Sequence, residues 1–333
     1  MLNRIAAILT ATIIATPAVA EVNIYSSREP QLINPILEAF TAETGIKTNI
    51  VFIKDGLIER LKAEGQRSPA DLVLTTDISN LNAIVEAGVT QAVTSDVVNA
   101  NIPATFRDPE GNWFGLTSRA RVIYASVDRV AEGEVTTYED LTDPKWEGRI
   151  CTRSGSHNYN VGLLAAVVAH HGEEAAEEWL TGLKANLARK PQGNDRAQIK
   201  AIWAGECDIA IGNTYYMGAM LQNEEQQAWA NSVTIQFPVL GDSGVHVNLS
   251  GMAMTKSSSN DEDALRLMEF LTSEVAQTMY AELNFEYPLL ESAQPSALVQ
   301  SWGDFTPDAT PLVDIAKLRN TALKIVDRVN FNE

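Results

Sequence analysis

Apolar positions along the chain follow two alternating periods. From Glu21 onward, short β-branched runs, "VNIYS", "TNIVFI" and "DLVLTT", are each followed by a segment whose apolar residues recur every three or four positions, as Leu32, Ile36, Leu37 and Phe40 do. The runs predict strands. The recurrences predict amphipathic helices over "PQLINPILEAFTAET", "GLIERLKAEG" and "ISNLNAIVEAG", with Gly45, Gly65 and Gly88 standing where those helices should stop. Repeated units of this kind predict an α/β fold with a largely parallel sheet, whose ligands gather at the carboxyl ends of the strands, where "SSREP", "KDG" and "TTD" fall.

A second series follows from about Arg119. It reads as strands at "RARVIYAS", "GRICTRSG" and "CDIAIGNTYY", with helices at "NVGLLAAVVAHHG", "EEAAEEWLTGLKANL" and "DRAQIKAIWAG". "VTIQFPV" and "SGMAMTK" then read as strands returning toward the first series, and "EDALRLMEFLTSEVAQTMYAEL" as one amphipathic helix. A chain of this length exceeds one comfortable core. Two α/β lobes are expected, residues 21–118 with 242–295 and residues 119–241 with 296–333, joined by hinge strands with a ligand cleft between them.

The first twenty residues join a basic start at Arg4 to a short apolar run and a small-residue ending, Ala18-Val19-Ala20. This is the pattern of a cleavable signal peptide, so residues 1–20 are expected to be removed on export to a periplasm. The formal net charge of −18 makes nucleic acid and anionic lipid poor partners, because both need basic surface. In an oxidising compartment the two cysteines, Cys151 and Cys207, can pair, tying the "RSGSHNYN" loop to the "GNTYY" turn.

Catalytic patterns are missing. The sequence has no G-x-S-x-G elbow, phosphate loop, H-E-x-x-H or C-x-x-C, and Ser156 beside His157 is an unpromising nucleophile and base because adjacent side chains seldom meet. Phenols are more telling. Tyr215 and Tyr216 follow a strand and the turn-forming Gly212, Asn213 and Thr214, where Asn213 or Thr214 can cap a helix starting at the tyrosines. Tyr159 follows another strand of the same series, so all three should open on one sheet edge. Holding a phenol ionised at neutral pH costs about 3 pH units, or roughly 4 kcal/mol. Three of them ask for a small, hard, highly charged cation; ferric iron fits, while carboxylate and carbonyl sites suit calcium or magnesium.

"VNIYSSRE", "SPADLVLTTD", "WFGLTSRARVIY", "RSGSHNYN", "NLARKPQGNDRAQIKAI", "GNTYYMG" and "ELNFEYP", taken in order, resemble the periplasmic ferric-ion-binding proteins of bacterial ABC transporters. The resemblance covers essentially the whole chain after the leader. It implies a type II periplasmic-binding-protein fold, similar to a transferrin lobe, with Tyr159, Tyr215 and Tyr216 as iron ligands and Arg119 holding a synergistic carbonate or bicarbonate. It also implies a monomer that delivers ferric ion, free or as a small chelate, to an inner-membrane permease with its ATPase. Where many members carry a histidine ligand the chain has Glu29, and where some add a tyrosine it has Pro30, which places it with the three-tyrosine subgroup. Glu29, itself a hard donor, stays an alternative ligand. Arg121 alternates with Arg119, so one is expected to face the anion and the other to point elsewhere. Tyr124 and Tyr138 should tolerate loss of their hydroxyls. The rival reading is a binding protein of the same fold for another small solute, an oxyanion or a polyamine.

Overall fold

The computed structural model describes residues 21–333; the leader read at 1–20 lies outside the described residues. Among the described residues nine strands form one mixed sheet: β1 (Glu21–Ser26), β2 (Lys47–Phe52), β3 (Leu72–Thr75), β4 (Phe114–Ser126), β5 (Ile150–Cys151), β6 (Ile209–Asn213), β7 (Val233–Gln236), β8 (Val247–Met254) and β9 (Tyr287–Pro288). Their order is β2-β1-β3-β8-β4-β6-β5, with β7 and β9 also paired to β4. The outer pairs are parallel, as the βα pattern implies, but β8 runs antiparallel to both β3 and β4, and β6 and β7 run antiparallel to β4. The sheet is therefore mixed, not largely parallel.

The centre of that sheet is β4, buried along its whole length. Its first half pairs with β8 and β9, and its second half, from Arg121, pairs with β6 and β7. Arg119 and Arg121 thus straddle the point where one strand changes partners. β7 stays with the second half of β4, and only β8 returns to the first series.

Two main apolar cores pack against this sheet. One gathers Val22, Ile36, Phe40, Leu74, Met252 and Leu267; the other, larger, gathers Tyr124, Trp146, Leu164, Ile202, Ile211 and Ile325. Met217 and Met220 pack in the larger core, as do Trp146 and Trp179, whereas Trp203 is half exposed. The long helical run near the end is two helices, Asp261–Leu271 and Glu274–Asn284, because the Ser273 hydroxyl accepts a hydrogen bond from the Ala276 N–H and starts a new helix. Leu312–Lys317 and Arg319–Arg328 are helices that the apolar pattern did not announce.

Among the described residues no helix is long and apolar enough to cross a membrane. Cys151, at the end of β5, is bonded to Cys207, just ahead of β6, with their Cα atoms 5.9 Å apart. Because β5 and β6 are neighbouring parallel strands, the bond fastens the two strands from which Tyr159 and Tyr215 depart.

Candidate metal centre

Each tyrosine sits in the first turn of a helix. Asn158–His171 begins after His157, whose Nδ1 accepts the Tyr159 N–H at 3.2 Å. That role requires an unprotonated ring nitrogen, and burial together with the Arg153 and Arg121 charges pushes the imidazole down to about 4. Tyr215 and Tyr216 open the seven-residue helix Tyr215–Leu221. The expected side-chain cap is absent: Thr214 is itself helical in backbone conformation, and its buried Oγ1 has no partner.

The three rings meet. Tyr215 Oη lies 3.1 Å from Tyr159 Oη, and the Tyr215 and Tyr216 ring centroids are 4.3 Å apart. Burial, then the neighbouring Tyr159 and Tyr216 hydroxyls, push Tyr215 well above the ordinary phenol range. Burial and Tyr159 push Tyr216 the same way. Phenols so placed stay neutral in the free protein; a cation must be present before they can ionise together.

Positive charge surrounds them. The guanidinium carbons of Arg119 and Arg121 each lie 5.7 Å from the Tyr159 ring centroid, and that of Arg153 lies 5.1 Å from it. Residues two apart on a strand share a face, so Arg121 joins Arg119 at the site instead of pointing elsewhere. Their partners differ. Arg121 is paired with Asp195 at 2.8 Å and shares it with Arg153, while Arg119 donates from Nη2 to the Thr76 carbonyl and leaves its buried Nη1 unpartnered. Among the described residues neither Arg119 nor Arg196, whose guanidinium carbon lies 5.3 Å from the Tyr216 ring centroid, forms a salt bridge; Arg196 is exposed, and Arg119 is the buried guanidinium with a donor to spare for an anion.

Glu29 is exposed and accepts a hydrogen bond from Gln31 at 2.6 Å, and nothing brings its carboxylate to the phenols. Its neighbour Arg28 is buried, bonded to Glu286 at 2.9 Å and close enough to Tyr215 to attract the phenolate once that phenol ionises. Arg28, Arg153 and Asp195 escaped sequence reading because their partners lie far along the chain, 258 residues for Arg28 and Glu286 and 42 for Arg153 and Asp195; Arg121 was within reach of the two-residue strand period. Tyr124 and Tyr138 are not the neutral positions expected. Both are fully buried, and their hydroxyls donate to the main-chain carbonyls of Asn213 and Arg121, so a phenylalanine at either strands a carbonyl beside the site. Ser156 bonds to Asn332 and not to His157, which leaves no nucleophile and base pair there. No cluster of three histidine, cysteine, aspartate or glutamate side chains able to hold a metal occurs among the described residues.

Residues 67–303 match the family of bacterial extracellular solute-binding proteins. The chain is 44% identical over 314 residues to iron uptake protein A1 of Synechocystis sp., spanning 93% of this chain and 87% of that protein. The apo ferric ion-binding protein A of Pasteurella haemolytica superposes with a TM-score of 0.90 at 52% identity, over 94% of this chain and 98% of that one. A Trichodesmium protein in complex with iron and citrate ligands superposes with a TM-score of 0.90 at 41% identity, over 94% of this chain and all of that one, 100%.

Proposed function

Because the chain belongs to the bacterial extracellular solute-binding proteins, we propose that its solute is ferric iron, bound by the phenolates of Tyr159, Tyr215 and Tyr216 and carried to an ABC importer. The observation that carries this reading is the meeting of three phenols beside an unpaired Arg119. Fe³⁺ with three phenolates is neutral, so the surplus guanidinium charge calls for an anion, and a bidentate carbonate or bicarbonate suits the planar fork of Arg119. A polyamine would be repelled by the arginines, and a bare oxyanion has no use for three phenols. The role is carriage, with the leader directing the chain to the periplasm and a permease with its ATPase taking the ion onward. Its resemblance to the iron-binding relatives supports the same assignment.

Ferric ion added to the protein is expected to produce a phenolate-to-iron absorption band in the visible. Tyr159→Phe, Tyr215→Phe and Tyr216→Phe should each lose tight binding yet keep the fold, because the ring and its packing remain. Wild-type affinity in any of the three removes that phenol from the site. Tyr287→Phe is the matched control, since the Tyr287 hydroxyl has no partner. For Arg119→Ala the loss should be largest when bicarbonate is plentiful; an equal bicarbonate response in both proteins would refute its role.

A further inference from the structure

Asp195 is completely buried, and three donors converge on its carboxylate. Arg121 Nη1 reaches Oδ2 at 2.8 Å, Arg153 Nη1 reaches Oδ1 at 3.0 Å, and the Asn213 N–H reaches Oδ2 at 3.1 Å. Each donor leads to a phenol. Arg121 continues to Asn160 Oδ1 at 2.6 Å, next to Tyr159, while Asn213 precedes the turn into Tyr215 and holds the Arg121 guanidinium through its own Oδ1 at 3.0 Å. Asn160 in turn donates to Thr152 Oγ1 and to the Arg153 carbonyl, so the network closes on the segment that follows β5. One carboxylate therefore fixes the segments that bear Tyr159 and Tyr215 and compensates one of the two arginines that pair with it.

We propose that Asp195 is a positioning residue that sets both the geometry and the charge of the iron site, so that Arg119 remains the principal anion holder. The inference rests on the ferric reading of the site. With Asp195 present, Arg121 and Arg153 together carry one surplus positive charge; without it they carry two, next to an incoming trivalent cation. Asp77 accepts from the Ser79 N–H and from Asn248 and pairs with neither Arg121 nor Arg153, and Glu286 is held by Arg28, so neither of these buried carboxylates stands in for Asp195. A purely architectural ion pair at the start of the helix Asp195–Trp203 would affect folding alone. A charge-setting residue must also affect the balance between cation and anion.

The test uses the full-length mature protein and ferric ion, titrated with and without added bicarbonate. Asp195→Asn keeps the shape and removes the charge; it is expected to weaken iron binding at least tenfold without bicarbonate, and less when bicarbonate is supplied, because the added anion offsets the uncovered guanidinium. Adding Arg153→Gln to Asp195→Asn restores the charge balance and should recover most of the loss. A single variant within twofold of wild type in both buffers overturns the proposal, as does a double variant no better than the single one. Should Asp195→Asn not fold, Arg121→Gln and Arg153→Gln decide. Arg121→Gln cuts the bonds to Asn160 and Asn213 and should cost at least tenfold, and Arg153→Gln clearly less; equal losses overturn the proposal. A wild-type protein that does not bind ferric ion at all would instead refute the ferric reading.

Discussion

Gly212 lies in β6, two residues ahead of the turn that leads into Tyr215, and it has no room for a side chain. A Cβ built there would stand 2.0 Å from Tyr124 Cε2 and 2.7 Å from Tyr124 Oη. The phenol of Tyr124 crosses the strand at this point to donate to the Asn213 carbonyl, so Gly212→Ala must push the ring aside and break that bond. Forcing one extra carbon into a packed core costs about 1–3 kcal/mol, and a lost buried hydrogen bond adds roughly 1 kcal/mol. Together the loss is about 2–4 kcal/mol, a large share of a typical stability of about 5–15 kcal/mol. The displaced carbonyl belongs to the residue that also anchors Asp195 and Arg121, so iron affinity should fall with it, by tenfold or more. Denaturant unfolding of the iron-free protein measures the first effect and ferric titration the second. Gly162→Ala is the contrast: inside the helix Asn158–His171 its Cβ would make only ordinary contacts, 3.5 Å to Asn248 and 3.6 Å to His246, and alanine's better helix propensity should leave stability unchanged or slightly raised. If Gly212→Ala unfolds at the wild-type midpoint and binds iron normally, the packing argument around Tyr124 is wrong.

Acid should weaken binding steeply. Burial, and after it the nearby Tyr159, hold Tyr215 and Tyr216 above the ordinary phenol range, so each carries its proton at neutral pH and, on the proposed reading, gives it up to iron. Affinity is then highest at alkaline pH and falls as pH drops, by up to about a thousandfold per pH unit for three protons released. Titration at fixed free ferric ion across pH 6–8 checks this, and an affinity independent of pH would refute the phenolate site. Reduction of the Cys151–Cys207 bond opens a loop with a sequence separation of 56 residues, which should destabilise the protein by about 4 kcal/mol on the chain-entropy account. Denaturant midpoints with and without reductant measure it; identical midpoints would show that the bond constrains nothing.

How far the sequence disclosed this molecule depends on the range of the interactions. Strands and helices governed by neighbours, such as β1 to β3 and the helices between them, stand close to where periodicity puts them. The break at Ser273 hid because apolar spacing runs through it, and only a hydroxyl reaching three residues forward marks the boundary. Sheet direction at β8 hid because a strand's own pattern does not state the polarity of its partner. In the site, the phenols showed through their rarity and grouping. The charges did not: Asp195 joins Arg121 and Arg153 across 74 and 42 residues, and nothing local distinguishes it from the many solvated acids of this chain. His157 as a helix cap was equally opaque, because that place usually falls to a short oxygen side chain.

The phenols and the Asp195 network all hang from elements of the larger core. From the opposite side come the Thr76 carbonyl, spent on Arg119, and the Arg28 charge. If the site holds ferric iron as proposed, loading and closing would therefore be separable events. On the proposed reading a ferric ion would find its full set of phenolates before any closure, and the approach of the other half would shield the cargo more than grip it. For a transporter waiting at the membrane, prising the halves apart would not by itself free the ion. Release would also require removing the proposed anion or returning the protons.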